Sequence, residues 1–236
     1  MDESIRVIYV QTDRDKYTLA RFHGMDEMRE RMAAEHRVRI GRNVDIGREA
    51  LIADGVTIGD NTVIEREATI ENDARIGRNV RIGRDAFIDK ASRIGDGTTI
   101  GEKTEIGRGV TVGDIVRIAA ECVVHDRVNI GWSSQLGEKS KIREESVLGH
   151  HTVVGREAHL GRMVQTAPGT TVGSHRSVLS FSRIAGTDRN LYQDKDLVKH
   201  YARTDWAASM GGERKLPEAP RVQETPEQSV SRGFRL

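Results

Sequence analysis

Aliphatic residues return every six positions along most of this chain. Stepping by six from Ile40 to Val178 gives 24 positions, and 23 of them carry Ile, Val or Leu. The exception is Thr166, and the next residue is Gly at 15 of the 24 positions. Four residues after each aliphatic position there is generally a small side chain. A period of six fits no helical spacing, so the pattern predicts short strands separated by turns.

A fixed short period without insertions predicts a solenoid, in which each repeat stacks on its neighbours. One large and one small inward side chain per repeat suit strands that close a triangle, so that three successive repeats form one coil. The 24 repeats then give about eight coils, and a prism about 38 Å long at the usual strand spacing. The third residue after each aliphatic position, for example Asn43 or Gly55, should turn a corner with positive φ.

This repeat resembles that of the hexapeptide-repeat family. The resemblance implies an all-β solenoid, namely a left-handed parallel β-helix, and it implies a homotrimer. The left hand comes from the resemblance alone, because crossovers between parallel strands are ordinarily right-handed.

The flanking segments predict three further parts of the chain. Residues 5–10 and 17–22 alternate as strands of a hairpin, and residues 26–36 predict a helix that covers the first coil. We therefore divide the chain into an N-terminal hairpin and helix, a β-helix, a C-terminal helix and an extended or disordered tail, with bounds at 1–37, 38–186, 187–210 and 211–236. The tail holds three of the four prolines, and it would tether the solenoid to a larger assembly.

Composition narrows the function classes. The net charge is +1, which provides no strong field for nucleic acid. No apolar run is long enough for a membrane span, and no signal peptide is recognised. The single cysteine, Cys122, falls at a small inward position and predicts a buried thiol in a reducing compartment, so we expect a cytoplasmic protein.

One predicted corner changes its chemistry in the last third of the repeat. Stacking the chain coil on coil brings Trp132 and His150 onto this corner, with Ile115 and His151 beside them. An exposed Trp near an exposed Ile predicts a ligand platform or a subunit interface, and the sequence leaves both open.

Basic residues gather on what we expect to be a neighbouring face. They are His125, Lys141, Arg143 and His159. They would hold an anionic group such as a phosphate, or form a salt-bridged interface. In a trimer we expect them to lie near the Trp132 corner of a neighbouring copy.

A second resemblance concerns catalysis. Many hexapeptide-repeat proteins are acyltransferases in which a His at a subunit boundary acts as general base. Residues 148–155 (LGHHTVVG) resemble the pattern aliphatic-x-His-Asp-Cys-x-aliphatic-Gly of such enzymes, with His151 and Thr152 in place of Asp and Cys. His125 lies one residue out of this register.

The resemblance implies a coenzyme A or carrier thioester as co-substrate, a hydroxyl or amine as acceptor, and no tightly bound cofactor. His150 would be the base, and Trp132 and Ile115 the wall of an acyl or pantetheine groove. Lys141 and Arg143 would contact phosphate, and His125 and His151 are further candidates for substrate binding.

Two alternatives remain. The unbroken repeat leaves few loops for an active site, which favours a non-catalytic trimeric scaffold or assembly protein. The γ-class carbonic anhydrases share the fold and bind zinc through three His, two of them five residues apart. No two His within the repeat have that spacing, so we assign no metal.

Overall fold

The computed structural model describes residues 5–13 and 16–186. The predicted C-terminal helix (187–210) and tail (211–236) lie outside the described residues, and an assembly formed through the tail stays a prediction.

The described repeats form a parallel solenoid of the left-handed β-helix class with about eight coils, which confirms the predicted fold. Two-residue strands recur every six residues from Arg39–Ile40 to Arg183–Ile184. Each strand pairs in parallel with the strand three repeats further on, as Leu148 pairs with Thr166. The strands therefore stack into three sheets.

Each sheet collects every third strand of the solenoid. Sheet 1 contains Leu51–Ile52, Thr69–Ile70, Phe87–Ile88, Glu105–Ile106, Val123–Val124, Lys141–Ile142, His159–Leu160 and Ser177–Val178. Sheet 2 contains Arg39–Ile40, Thr57–Ile58, Arg75–Ile76, Arg93–Ile94, Thr111–Val112, Asn129–Ile130, Val147–Leu148, Gln165–Thr166 and Arg183–Ile184. Sheet 3 contains Asp45–Ile46, Val63–Ile64, Arg81–Ile82, Thr99–Ile100, Arg117–Ile118, Gln135–Leu136, Val153–Val154 and Thr171–Val172.

The chain runs from sheet 1 to sheet 2, to sheet 3 and back, so each coil has three corners. We name them by the sheets they join: corner 1–2 (for example residues 143–146), corner 2–3 (149–152) and corner 3–1 (155–158). In the described chain, the third residue after every aliphatic position from Asn43 to Phe181 has a positive φ, between 51° and 75°. The predicted corners are thus confirmed.

The interior is a column of aliphatic side chains with hydroxyls at many of the small positions. These hydroxyls bond within the solenoid. Thr98, for example, donates from Oγ1 to the Gly113 carbonyl at 2.9 Å and accepts from the Val116 N–H at 3.2 Å. Cys122 is buried as predicted, its Sγ donates to the Gly137 carbonyl at 3.1 Å, and burial raises the pKa of its thiol. The Thr98 hydroxyl and the Cys122 thiol are therefore both hydrogen-bonded, as a stable interior requires of buried polar groups.

An N-terminal hairpin and helix close the first coil. Strands β1 (Ile5–Asp13) and β2 (Lys16–His23) pair antiparallel, and β1 also pairs in parallel with Leu51–Ile52. The hairpin therefore extends sheet 1 by two strands. Helix α1 (Gly24–His36) follows and buries Met28 and Met32.

Candidate functional site

Corner 2–3 carries an exposed aromatic cluster in its later coils. The ring centroids of Trp132 and His150 lie 5.1 Å apart, and those of Trp132 and His151 lie 4.1 Å apart in an edge-on arrangement. Trp132 is 44% exposed, and Ile115, one coil earlier on the same corner, is 63% exposed. The structure therefore places these four candidate residues on one corner.

Ile115 has an unfavourable backbone conformation. Its φ is 57°, in the left-handed region, where the position one coil earlier is occupied by Gly97. A β-branched residue in this region is a genuine outlier, at a cost of roughly 1–2 kcal/mol. The turn itself would be better served by Gly or Asn, so the exposed Ile side chain points to a role at the surface.

The His150 ring packs over Gly131. A Cβ added to Gly131 would lie 2.8 Å from His150 Nδ1, so the ring position depends on that Gly. Across residues 5–13 and 16–186 we find no hydrogen bond or ion pair to the His150 imidazole. The carboxylate partner that often orients a catalytic His is therefore not supplied by the described chain.

Thr166 lies next to this corner, and its role was not foreseen from the sequence. Its Oγ1 accepts a hydrogen bond from the Gly149 N–H at 2.9 Å and shares a second with Thr152 Oγ1 at 2.9 Å. Gly149 and Thr152 bracket His150 and His151. The signal was present in the sequence, because Thr166 is the one break in the aliphatic pattern.

The predicted basic residues lie elsewhere. Lys141 and His159 are paired on sheet 1, and His125 and Arg143 lie on corner 1–2. Corner 2–3 is opposite sheet 1, because three sheets close the triangle. The expectation that Lys141 lies on a face neighbouring Trp132 is therefore wrong. The stretch of chain between the two residues amounts to half of one coil, which places them on opposite sides of the prism.

Glu144 engages the cations of corner 1–2. Its carboxylate lies 3.4 Å from Arg143 Nε, 3.6 Å from His125 Nδ1 and 3.7 Å from Arg162 Nε. Partial burial raises the pKa of Glu144, but its own backbone N–H and the charges of Arg143 and His125 outweigh this, and the net pKa is lowered. The geometry favours the salt-bridged reading of this cluster over an open anion site.

Comparison with known families agrees with the repeat. The family model "Bacterial transferase hexapeptide (six repeats)" matches residues 55–90, and "Hexapeptide repeat of succinyl-transferase" matches residues 37–65. The chain is a hexapeptide-repeat protein. A third model, "GMPPB C-terminal domain", matches residues 76–178 of the same solenoid. No curated protein sequence matches this hexapeptide-repeat protein.

Solved structures similar to this hexapeptide-repeat protein include two UDP-N-acetylglucosamine acyltransferases. The enzyme from Campylobacter jejuni is 21% identical, with 76% of this chain and 83% of that chain covered and a TM-score of 0.36. The enzyme from Francisella novicida is 20% identical, with 70% and 65% covered and a TM-score of 0.39. PerB from Caulobacter crescentus, solved with CoA and GDP-perosamine, is 17% identical, with 63% and 54% covered and a TM-score of 0.28.

Within the described ranges, no three side chains of His, Cys, Asp or Glu converge in a way that would hold a metal ion. None of the helices in these ranges is long and apolar enough to cross a membrane.

Proposed function

We propose that this hexapeptide-repeat protein is an acyltransferase. It transfers an acyl group from a coenzyme A or carrier thioester to a hydroxyl or an amine. The matching repeat models are those of bacterial transferases and of a succinyl-transferase, which moves an acyl group. The observation that carries the proposal is His150, which is exposed two residues after a core position and lies 5.1 Å from the Trp132 ring.

In the proposed reaction His150 is the general base. Its imidazole takes the proton of the acceptor hydroxyl or amine, whose oxygen or nitrogen then attacks the thioester carbonyl. The carbon–sulfur bond breaks, and the leaving thiolate receives the proton from the imidazolium. Trp132 and Ile115 form an apolar wall for the acyl or pantetheine chain, and His151 packs against the indole.

Within one copy, Lys141, Arg143 and His125 do not reach this proposed site. They lie on sheet 1 and corner 1–2, away from corner 2–3, and Glu144 pairs with two of them. Phosphate contacts to a coenzyme must then come from other groups of that copy or from a neighbouring copy.

A homotrimer completes the site in this proposal. Several outward residues flanking corner 2–3 are charged in the early coils, as Arg75 and Arg93 on sheet 2 and Arg81 on sheet 3 show. An uncharged stretch follows, bounded by Arg117 on sheet 3 and Arg183 on sheet 2: it consists of Thr111, Asn129, Val147 and Gln165 on sheet 2, and Gln135, Val153 and Thr171 on sheet 3. Depletion of charge beside an exposed Trp is typical of the core of an interface.

An acyl-transfer assay tests the proposal. Purified protein is incubated with acetyl-, succinyl- or longer acyl-coenzyme A and a panel of amino sugars and sugar nucleotides, and free thiol is measured. We expect His150→Ala to lower turnover at least about 100-fold, the lower range for loss of a general base. The control His159→Ala, an exposed His on sheet 1, should keep full turnover. Full activity of His150→Ala would contradict the assignment.

A non-catalytic trimeric scaffold is the second candidate. It is favoured by the missing hydrogen-bond partner of His150 in the described chain and by the unbroken repeat. Thermal unfolding with coenzyme A and its thioesters separates the two functions. A ligand at 100 times its Kd should add about 2.7 kcal/mol of stability, whereas a scaffold would show no change with any thioester.

A further inference from the structure

Thr166 places a hydroxyl in a column that is otherwise aliphatic. In sheet 2 it lies between Leu148 of the preceding coil and Ile184 of the next. Its side chain is buried. A Val at this position would have nearly the same shape and would match the rest of the column.

The hydroxyl takes part in a closed hydrogen-bond ring at the foot of corner 2–3. The Gly149 N–H donates to Thr166 Oγ1 at 2.9 Å, and Thr152 Oγ1 donates to the Gly149 carbonyl at 2.7 Å. The two Thr hydroxyls lie 2.9 Å apart, so Thr166 Oγ1 donates to Thr152 Oγ1. The Gly149 carbonyl also accepts from Ser134 Oγ at 3.1 Å. The N–H and the carbonyl of Gly149, the residue immediately before His150, are thus both hydrogen-bonded.

Thr152 departs from the usual behaviour of the inward hydroxyls. Thr98 and Ser146 donate forward to a carbonyl of the next coil, at Gly113 and Gly161. Thr152 instead donates back to Gly149 within its own corner, as Thr170 does to Ala167 one coil later, and of these two Thr152 is the one that faces the Thr166 hydroxyl. The hydroxyl of Thr166 and the backward bond of Thr152 therefore belong to one arrangement.

Stability alone does not require this hydroxyl. If Thr166 were Val, the Gly149 N–H would keep its bond to the Thr166 backbone carbonyl at 3.1 Å, and Thr152 would keep its bond to Gly149. No buried polar group would lose its last partner, and such losses are the costly ones. An extra buried methyl group would be gained.

We propose that Thr166 is a positioning residue for His150. Its hydroxyl fixes the Gly149 peptide, and through it the direction in which corner 2–3 presents the imidazole. The ring has no hydrogen bond of its own in the described chain, so backbone geometry and packing on Trp132 and Gly131 must orient it. This inference rests on the proposed function of His150 as general base.

Three variants test the role of the hydroxyl: Thr166→Val, Thr166→Ser and the matched control Thr98→Val. In the acyl-coenzyme A assay we expect Thr166→Val to lower kcat about tenfold with KM within about twofold, because misplacing a catalytic group lowers kcat. Its unfolding midpoint should not fall. Thr166→Ser should keep kcat. Thr98→Val removes a hydroxyl from the same corner three coils away, so it should lower the unfolding midpoint and keep kcat.

A measurement without substrate separates this inference from the proposed function. In a Trp206→Phe background, which removes a Trp outside the described residues, Trp132 fluorescence is followed from pH 5 to pH 8. Protonated imidazoles near the indole quench this fluorescence. We expect the amplitude of the fluorescence change with pH to differ from that of the parent in Thr166→Val, but not in Thr166→Ser or Thr98→Val. Identical titrations of Thr166→Val and the parent would overturn the positioning role. Full activity of His150→Ala would overturn the proposed function alone.

Discussion

Single glycines decide how closely successive coils approach at corner 2–3. The residue directly after each aliphatic position on this corner is Gly from Gly41 to Gly149. At Gly131 an added Cβ would lie 2.6 Å from the His150 backbone nitrogen as well as 2.8 Å from Nδ1. Real Cβ atoms do not reach such distances, so a side chain at Gly131 must displace the backbone that carries the proposed base.

Gly131→Ala should therefore damage both stability and catalysis. Overpacking of a tight site costs typically about 1–3 kcal/mol, and the displaced imidazole should lose most of its activity. Chemical denaturation and the acyl-transfer assay measure the two effects. The matched control is Gly155→Ala on corner 3–1, where the atoms nearest to the added Cβ belong to the backbone of Gly173 and Ser174. It should lose stability and keep kcat per folded protein. Equal loss of kcat in both variants would contradict the specific role of Gly131.

Among the elements, the N-terminal helix depends on few contacts. Helix α1 buries Met28 and Met32 against the first coil, while its other face is largely exposed. The hairpin is anchored differently, through the parallel pairing of β1 with Leu51–Ile52. The two parts also contact each other, because Arg31 of the helix lies 4.9 Å from the centroid of the Phe22 ring of the hairpin.

Met32→Ala should open the first coils without unfolding the rest. Removing a buried Met costs about 2–5 kcal/mol, and a solenoid transmits stability mainly between neighbouring repeats. Hydrogen exchange should show faster exchange around Ile40 and Ile46 and unchanged protection in the late coils. The surface variant Glu30→Ala, on the exposed side of the same helix, should leave the pattern as it was. Uniformly faster exchange along the whole solenoid would contradict this local role.

At the scale of single elements, the strands and corners could be predicted well from the sequence, because each depends on a side chain that recurs at a fixed spacing. The sequence predicted less about which elements face each other. The pairing of β1 with sheet 1 joins residues that are distant along the chain, Tyr9 with Leu51, and no local pattern encodes it. The roles of Glu144 and Thr166 depend on which atoms meet across coils, and only the three-dimensional structure gives those distances.

For the whole molecule, threefold symmetry limits which surfaces can form the proposed trimer. In a ring of three copies with parallel prism axes, each copy uses two contact patches whose outward directions differ by about 60°. In a triangular cross-section, the outward normals of sheets 2 and 3 point about 60° away from the direction of corner 2–3. The outward normal of sheet 1 points about 180° away from it. A trimer that buries corner 2–3 therefore pairs it with sheet 2 or sheet 3 of the next copy. In such a ring Lys141, on sheet 1, would not approach a neighbour's Trp132.

Val147 and Phe87 allow a direct test of this arrangement. Val147 is 43% exposed on sheet 2 beside the aromatic corner, and Phe87 is 38% exposed on sheet 1. We expect Val147→Glu to dissociate the trimer, because it buries a charge in an uncharged interface. Phe87→Glu introduces the same charge at similar exposure on the opposite side, so it should leave the trimer intact. Light scattering after size exclusion measures the mass of each variant. A monomeric Phe87→Glu variant with a trimeric Val147→Glu variant would move the seam to sheet 1 and separate it from His150.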